Sequence, residues 1–425
     1  MAKKPRKPSA AKPKPVVSHH APPRARRFME QRWLLDNVIR ANGIDWDQPR
    51  TTYLNVPLGF EASADFVAIR GRVQKFADCS PAFQAAARRR EGKARDALRQ
   101  GNKVTARENF LMAAVHWGAA QWPFDENNQE NLFCNERKRA CYRDYAKLAA
   151  HHVEEVWVPF KSSKLPAWLH LPPDYTGGKI PLVVTLPGMD SFKEIAVSIY
   201  GDRWLMRGVA VLALDGPGQY ESAVLGIPVT IDNWMATGPA VMSYLSTRSE
   251  VDMKRVGLTG NSFGSFFGTV MAAHEPRFRA CAVTSPNLEP GCHTIFEEAS
   301  PTFKQRFMYM AQISDEARFD EFRQTISWKG HAEKIRMPYL CVGGGSDELA
   351  PIENVERMFK AMKAPRQHVV YQDSRHAVGG VPAATLGPYL PTLVADWMAA
   401  RFAGKPFKNE RWFVDATGKV TKSPL

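Results

Sequence analysis

The chain has 425 residues, 44% of them hydrophobic, which is enough to bury a large core and to build two domains. No run of eighteen apolar residues is present and the N-terminus has no apolar signal segment, so we expect neither a membrane span nor secretion. The six cysteines are scattered without a C-x-x-C pair, which favours reduced thiols in the cytoplasm over a disulfide or zinc framework.

The basic character is concentrated in one segment. Of the net charge of +14, nine positive charges lie in residues 1–27, which contain no acidic residue, so the rest of the chain carries only +5. This Pro/Ala/Lys composition is typical of a disordered tail. We expect a solvated extension without a catalytic part and without specific nucleic-acid binding.

Residues 28–150 are predicted to form an all-helical domain. Apolar residues at helical spacing indicate a first helix from Met29 to Ile44, and an irregular stretch over 45–60 follows it. Three further helices are predicted over 81–100, 103–121 and 130–152. The pair over 94–114 resembles one helical repeat, but no second copy follows, so it is interpreted as a helix hairpin.

The pattern changes at Val153, where strands begin to alternate with helices. The predicted strands are 153–158, 165–171, 181–186, 209–215, 256–259, 280–285, 339–343 and 367–371. The predicted helices are 191–207, 232–247, 263–274, 352–363 and 387–402. This alternation predicts a doubly wound α/β sheet over 151–404, with a mainly helical insertion at 293–333 and an uninformative C-terminal extension at 405–425.

The motif G-N-S-F-G at 260–264 lies between a predicted strand and a predicted helix. A G-x-S-x-G sequence in this context is typical of a nucleophile elbow, whose sharp turn needs glycine on both sides and raises the serine above the sheet. Ser262 is therefore the candidate nucleophile.

Partners for Ser262 are expected at the carboxyl ends of later strands. Asp347 follows one such strand and His376 the next, so the order Ser, Asp, His is that of the α/β-hydrolase fold. His376 would accept the serine proton, and Asp347 would orient the imidazole. Glu348 and Asp373 are the alternative acids and His368 is the alternative base, although His368 falls inside a strand.

The loop after the strand 181–186 is predicted to complete an oxyanion hole. The backbone N–H groups of Phe263 and Met189 are the candidate donors. Asp190 follows directly, and two interpretations stay open. In one, it precedes a capping box formed by Ser191 and Glu194 and complements the helix dipole; in the other, it moves protons beside the oxyanion hole.

Several of these segments together resemble one family of α/β hydrolases, typified by 2,6-dihydroxypseudooxynicotine hydrolase and including the fungal polyketide-shortening hydrolases and the FrsA-like esterases. The segments are P-G-M-D-S-F-K-E (187–194), D-G-P-G-Q (215–219), G-N-S-F-G, G-G-S-D-E and S-R-H. The likeness covers about 150–400, and the helical domain matches the family's cap domain.

The resemblance implies cleavage of a carbon–carbon bond in a ketone, or of an ester, without metal or cofactor. It places the family's triad on Ser262, Asp347 and His376, and a functional glutamate of the nicotine-pathway enzyme at Asp190. Tyr220 after Gln219 departs from the family pattern.

Candidate pocket residues are His116, Trp117 and Trp122 from the cap, with Met189, Tyr220 and Phe263 from the core. The leading hypothesis is a cofactor-free serine hydrolase that cleaves a C–C bond in a small apolar or aromatic ketone or β-diketone. A homodimer is the assembly that this hypothesis includes. A carboxylesterase is the alternative, and a non-catalytic binding protein on a hydrolase scaffold is the alternative from another class.

Overall fold

The computed structural model describes residues 13–16, 26–199 and 202–425. In these residues the α-helices are α1 (Arg26–Asn42), α2 (Arg50–Asn55), α3 (Ser63–Arg72), α4 (Cys79–Arg99), α5 (Lys103–Gln121), α6 (Gln129–Leu148), α7 (Ala196–Ile199), α8 (Tyr220–Val224), α9 (Ile231–Leu245), α10 (Phe263–His274), α11 (Pro301–Ala311), α12 (Glu316–Arg323), α13 (Glu353–Ala361), α14 (Pro382–Leu386) and α15 (Leu390–Phe402). The strands are β1 (Val153–Phe160), β2 (Ser163–His170), β3 (Ile180–Leu186), β4 (Ala210–Leu214), β5 (Val251–Asn261), β6 (Ala280–Thr284), β7 (Tyr339–Gly344), β8 (Arg366–Tyr371), β9 (Glu410–Val414) and β10 (Val420–Pro424).

The strands form one sheet in the order β1-β2-β4-β3-β5-β6-β7-β8-β9-β10. The pairs from β4 through β3 to β9 are parallel, and β1–β2, β2–β4 and β9–β10 are antiparallel. The central strands are buried on both faces, because helices cover the sheet from both sides. The predicted doubly wound α/β fold is confirmed, and all eight predicted strands are present as β1–β8.

Two segments are built differently from what the sequence indicates. The C-terminal extension contributes the last two strands: β9 pairs in parallel with β8, and β10 closes that edge. The helix predicted over 191–207 is broken in its described residues into a 3₁₀ turn at Lys193–Ile195, the short α7, and a second 3₁₀ turn at Leu205–Arg207.

The helical cap is joined to the sheet domain by buried charges. Lys138 of α6 lies 3.5 Å from Glu194, and Arg139 lies 2.8 Å from Glu221. Lys193 reaches both carboxylates, at 2.7 Å from Glu194 and 2.5 Å from Glu221. Burial opposes ionisation of Glu194, but Lys138 and Lys193 lower its pKa to about 2. Removing either cap cation would leave Glu194 or Glu221 with Lys193 but without its partner from the cap.

The basic N-terminal segment is partly attached to the protein. Residues 1–12 and 17–25 lie outside the described residues, so the predicted disorder of the tail refers to residues that are not described. Its last two residues, however, belong to α1. The guanidinium of Arg27 donates to the carbonyls of Phe296 (2.6 Å) and Ala299 (2.5 Å). The N–H of Val16 donates to the carbonyl of Val224 at 2.9 Å.

Among the described residues, no helix is both long enough and apolar enough to cross a bilayer.

Candidate active site

The turn between β5 and α10 has the geometry of a nucleophile elbow. Ser262 adopts φ 55° and ψ −125°, a strained conformation for a residue with a side chain. A Cβ at Gly260 would lie 2.0 Å from the carbonyl oxygen of Gly264, and a Cβ at Gly264 would lie 2.4 Å from that of Leu186. Both glycines are required because the helix turns back so closely over the strand.

A continuous hydrogen-bonded chain links Ser262, His376 and Asp347. The Ser262 Oγ lies 2.9 Å from His376 Nε2, and His376 Nδ1 lies 2.8 Å from Asp347 Oδ2. All three residues are buried, with 8% or less of each exposed. This is the arrangement in which an imidazole can take a proton from a serine while a carboxylate fixes its tautomer.

The loops after β7 and β8 hold the acid and the base in place. The backbone N–H groups of Leu349 and Ala350 both donate to Asp347 Oδ1 at 2.9 Å, which fixes the carboxylate. The carboxylate of Glu348 accepts from the backbone N–H of His376 at 3.1 Å. Glu348 therefore supports the histidine loop, and Asp347 is the residue that contacts the ring.

Neither His368 nor Asp373 takes part in the hydrogen-bonded chain of Ser262, His376 and Asp347. His368 is buried within β8 against the ring of Phe359, and burial lowers its pKa to about 3. Asp373 is exposed and contacts neither nitrogen of His376.

The electrostatic environment favours a proton on His376. Burial alone would lower the pKa of its ring, but the carboxylate of Asp347, followed by those of Glu348 and Asp190, raises the pKa above the usual 6.5. An imidazolium at His376 would be stabilised by the same carboxylates.

The loop after β3 approaches the nucleophile closely. A Cβ at Gly188 would lie 2.9 Å from the Ser262 Cβ. The Ser191 Oγ accepts from the Gly188 N–H at 2.7 Å, and the side-chain amide of Gln219 donates to the Pro187 carbonyl. The Ser191 hydroxyl therefore stabilises this loop and does not cap the turn that follows. The expected capping box with Glu194 is not formed.

The two candidate oxyanion donors are both available. Within the described residues, neither the N–H of Met189 nor that of Phe263 donates a hydrogen bond. Phe263 opens α10, so its amide lies at the positive end of the helix. Both amides are free to bind a developing negative charge.

Asp190 is held by residues of the cap. Its Oδ2 accepts from the guanidinium of Arg50 at 2.8 Å and from the hydroxyl of Tyr53 at 2.6 Å. Arg50 also pairs with Asp47 at 3.0 Å and lies over the ring of Trp122 at 3.8 Å. Burial, with the nearby Asp190 charge, raises the pKa of Asp47 to about 6, although Arg50 lowers it. The Asp190 Oδ1 accepts no hydrogen bond from any described residue.

A cavity of about 230 Å³ opens onto Ser262 and His376. Its wall beside the nucleophile includes Asp190 and Tyr53, so the cap–core junction forms part of it. Most of the remaining lining is apolar, for example Leu186, Phe192, Ile195, Val378 and Leu390. A small, largely apolar molecule with a few polar groups fits such a space.

Comparison with known families places this geometry in context. Residues 88–321, more than half of the chain, match the family described as "Esterase FrsA-like". The chain belongs to the FrsA-like esterase family. This match confirms the resemblance that the motifs indicate.

Individual relatives of this FrsA-like chain agree with that assignment. It is 30% identical over 215 residues to the α/β hydrolase xenA of Xenoacremonium sinensis, covering 48% of this chain and 50% of that protein. It is 30% identical over 227 residues to the hydrolase ORFZ of Pyricularia oryzae, covering 49% and 52%. The chain thus spans about half the length of these curated relatives.

The fold of the FrsA-like chain is shared with solved structures. The structure of 2,6-dihydroxy-pseudo-oxynicotine hydrolase aligns with a TM-score of 0.70 at 23% identity, covering 83% of this chain and 97% of the other. The AbyA5 structure aligns with a TM-score of 0.60 at 16% identity, covering 81% and 90%.

The assignment of His116 and Trp117 to the pocket is wrong for the cavity at Ser262. His116 is fully buried within the cap, 3.4 Å from Asp65, and burial lowers its pKa. The Trp117 indole donates to Glu91 at 3.2 Å. Both side chains point into the helical domain, because helix α5 is buried on nearly all sides.

Trp122 and Tyr220 do not line the cavity either, but both contact residues that hold Asp190. Trp122 packs against the guanidinium of Arg50. The Tyr220 hydroxyl donates to the backbone carbonyl of Asp190 at 3.0 Å. Met189 and Phe263 contribute their backbone rather than a lining side chain.

Asp47, Arg50 and Tyr53 are not among the predicted site residues, because 45–60 looks irregular. The spacing of Arg50 and Tyr53 was the available signal, since residues three apart lie on one face of a helical turn, whereas Asp47 lies in the bend before that turn. Arg50 and Tyr53 indeed belong to the short α2.

Proposed function

We propose that the chain is a serine hydrolase whose triad is Ser262, His376 and Asp347. The observation that carries this proposal is the hydrogen-bonded chain from Ser262 Oγ through His376 to Asp347 at the edge of a cavity. Membership of the FrsA-like esterase family supports it.

The reaction follows from the positions of these groups. Ser262 Oγ attacks the substrate carbonyl carbon while its proton passes to His376 Nε2. The resulting oxyanion is stabilised by the amides of Met189 and Phe263. The leaving group then departs as it takes a proton, and an acyl-enzyme remains on Ser262. Water, deprotonated by His376, attacks the acyl carbon and releases the acid and free Ser262.

We propose C–C cleavage of a hydroxylated ketone or β-diketone as the preferred reaction, with ester hydrolysis as the alternative. An ester leaving group needs only the proton on His376. A carbon leaving group must be stabilised as a carbanion. The substrate group that donates electrons to the breaking bond, or withdraws them from it, therefore has to be held in place. Asp190, beside the nucleophile, provides a partly buried carboxylate for that purpose.

The partners of Asp190 indicate how it would act. Arg50 and Tyr53 both donate to Oδ2, so this carboxyl group already acts as a hydrogen-bond acceptor. Of the possible roles, holding a substrate hydroxyl on the free Oδ1 therefore fits better than delivering a proton. The solved relative named for a dihydroxylated substrate is consistent with this class.

The test of the nucleophile combines labelling and turnover. Wild-type protein should react with a fluorophosphonate probe, and Ser262→Ala should not, with turnover reduced by several orders of magnitude. Ser246→Ala, at the exposed end of α9, is the matched control. Unchanged labelling in Ser262→Ala would refute the triad, and no labelling of the wild type would favour the binding protein.

The test of the reaction type uses Asp190→Asn on two substrates. We expect kcat to fall by at least about 10² on a hydroxylated aryl ketone and far less on a p-nitrophenyl ester. Asp174→Asn, exposed in the loop between β2 and β3, is the control. Equal and slight effects on both substrates would favour the carboxylesterase.

A further inference from the structure

Two threonine side chains beside the proposed active site lack the partners that buried hydroxyls normally have. Thr185 is 3% exposed and Thr259 is 1% exposed, and neither Oγ1 has a hydrogen-bond partner among the described residues. Other threonines buried to the same degree are paired: the hydroxyls of Thr51, Thr237, Thr269, Thr284 and Thr302 all have partners. A buried hydroxyl without a partner destabilises the folded protein, so two such hydroxyls beside the site point to a ligand that pairs with them.

The two threonines lie side by side. Thr185 on β3 and Thr259 on β5 are register partners in parallel strands, so their side chains point to the same face of the sheet. That face is covered by α15, because a Cβ at Gly257, two residues before Thr259, would lie 2.5 Å from Met398 of α15. The pair therefore occupies the layer between the sheet and α15.

The same two residues line the cavity that opens onto Ser262. Thr185 and Thr259 form part of its wall, together with Leu390 and Pro391 at the start of α15. Thr259 precedes Ser262 by three residues along an extended strand, which places the two Cα atoms roughly 10 Å apart. The threonine pair thus marks the inner end of a channel that begins at the nucleophile.

The charges of the cavity limit what this inner end can bind. No Lys or Arg is present among its described lining residues, and Asp190 is the carboxylate that lines it. At that inner end an anionic group would be desolvated without a Lys or Arg partner, and Asp190 would repel it. A threonine hydroxyl both donates and accepts, so it suits a neutral carbonyl or hydroxyl oxygen.

We propose that Thr185 and Thr259 form an inner subsite that binds a neutral oxygen of the substrate, a carbonyl or a hydroxyl, on the α15 side of Ser262. This inference rests on the proposed hydrolase function and adds a second polar group to its substrate, remote from the bond that breaks. The subsite would prefer oxygenated chains over plain alkyl chains of equal length.

The test compares p-nitrophenyl heptanoate with its 4-oxo, 5-oxo and 6-oxo derivatives. We expect the wild type to hydrolyse at least one oxo ester with a kcat/KM about 10-fold above the parent ester, because each neutral hydrogen bond contributes about 3- to 10-fold. The Thr185→Val/Thr259→Val double variant should bring that ratio close to one. The matching double Ser variant keeps both hydroxyls and should retain the preference.

Thermal stability provides a second readout with a matched control. The double Val variant should melt no lower than wild type, because the hydroxyls it replaces have no partner to lose. Thr237→Val is the control, since its hydroxyl donates to the Asn233 carbonyl at 2.7 Å in α9, away from the cavity. That variant should melt lower and keep the wild-type substrate preference.

Failure of this inference can be separated from failure of the hydrolase proposal by measuring binding without chemistry. In Ser262→Ala, calorimetry should show tighter binding of heptane-2,6-dione than of 2-heptanone, and the two Val substitutions should remove the difference. A dione preference without any hydrolysis in the wild type would overturn the hydrolase but support the subsite. The subsite would be overturned if the wild type and the double Val variant had the same ratio of oxo-ester to parent-ester kcat/KM and the same ratio of dione to ketone affinity. The threonines would then contact water only.

Discussion

Replacing Arg50 by methionine is the most direct test of how the cap controls the active site. Arg50 is 2% exposed and pairs with two carboxylates, Asp47 (1% exposed) and Asp190 (12% exposed). Methionine keeps much of the apolar contact with Trp122 but removes the charge. Both carboxylates would then remain buried without a cationic partner.

The size of the effect follows from that burial. Removing one partner of a buried ion pair costs about 3–5 kcal/mol, because an uncompensated charge is left behind. Loss of the stacking on Trp122 adds up to about 2 kcal/mol where the cation is desolvated. Relaxation and protonation of the stranded carboxylates offset part of this sum. We therefore expect the free energy of unfolding to fall by about 3–5 kcal/mol.

Urea unfolding followed by tryptophan fluorescence measures this loss. Arg207→Met is the matched control, because Arg207 pairs with Asp396, whose side chain is 61% exposed, and such pairs contribute at most about 1 kcal/mol. Adding Asp47→Asn to Arg50→Met should restore part of the stability, since one stranded carboxylate is removed. A loss no larger than that of the control would refute the view that Arg50 compensates buried charge.

Three further predictions follow from the triad and from the N-terminus. Asp347→Asn should lower kcat for ester turnover by about 10⁴, because the His376 ring would adopt the wrong tautomer. Glu348→Gln keeps an acceptor for the His376 N–H and should lower kcat far less. If Glu348→Gln is the more damaging change, the acid of the triad is Glu348. His376 must be neutral to accept a proton, and its pKa is raised above 6.5. As the pH falls below that pKa, kcat/KM should decrease about tenfold per pH unit. A pH profile in which kcat/KM begins to decrease only below pH 6.5 would contradict this prediction. Deleting residues 1–25 should change the melting temperature little. Arg27→Ala should lower the melting temperature, because the carbonyls of Phe296 and Ala299 lose a charged donor. Equal falls in melting temperature would show that the deleted segment stabilises the protein as much as Arg27 does.

The sequence by itself determined the catalytic half of the fold. Continuous apolar runs such as β3 are readable because a strand buried on both faces tolerates few polar residues. The elbow at Ser262 is readable because its backbone requires glycine at fixed offsets. Asp347 and His376 follow from the rule that parallel strands present their carboxyl ends at one edge. All of these are local patterns combined with chain order.

Only the tertiary structure decided which side chains meet beside the nucleophile. Arg50 and Asp190 are 140 residues apart, and no local pattern joins them. Trp117 looked like a pocket residue because an aromatic on a helix has the same periodicity whether it faces a ligand or another helix. The last twenty residues carried no clear signal because β9 and β10 complete a sheet edge built by other strands. Contacts of this kind depend on how the surfaces of the cap and the sheet fit together. That fit involves residues far apart in the sequence, so local sequence patterns do not predict it.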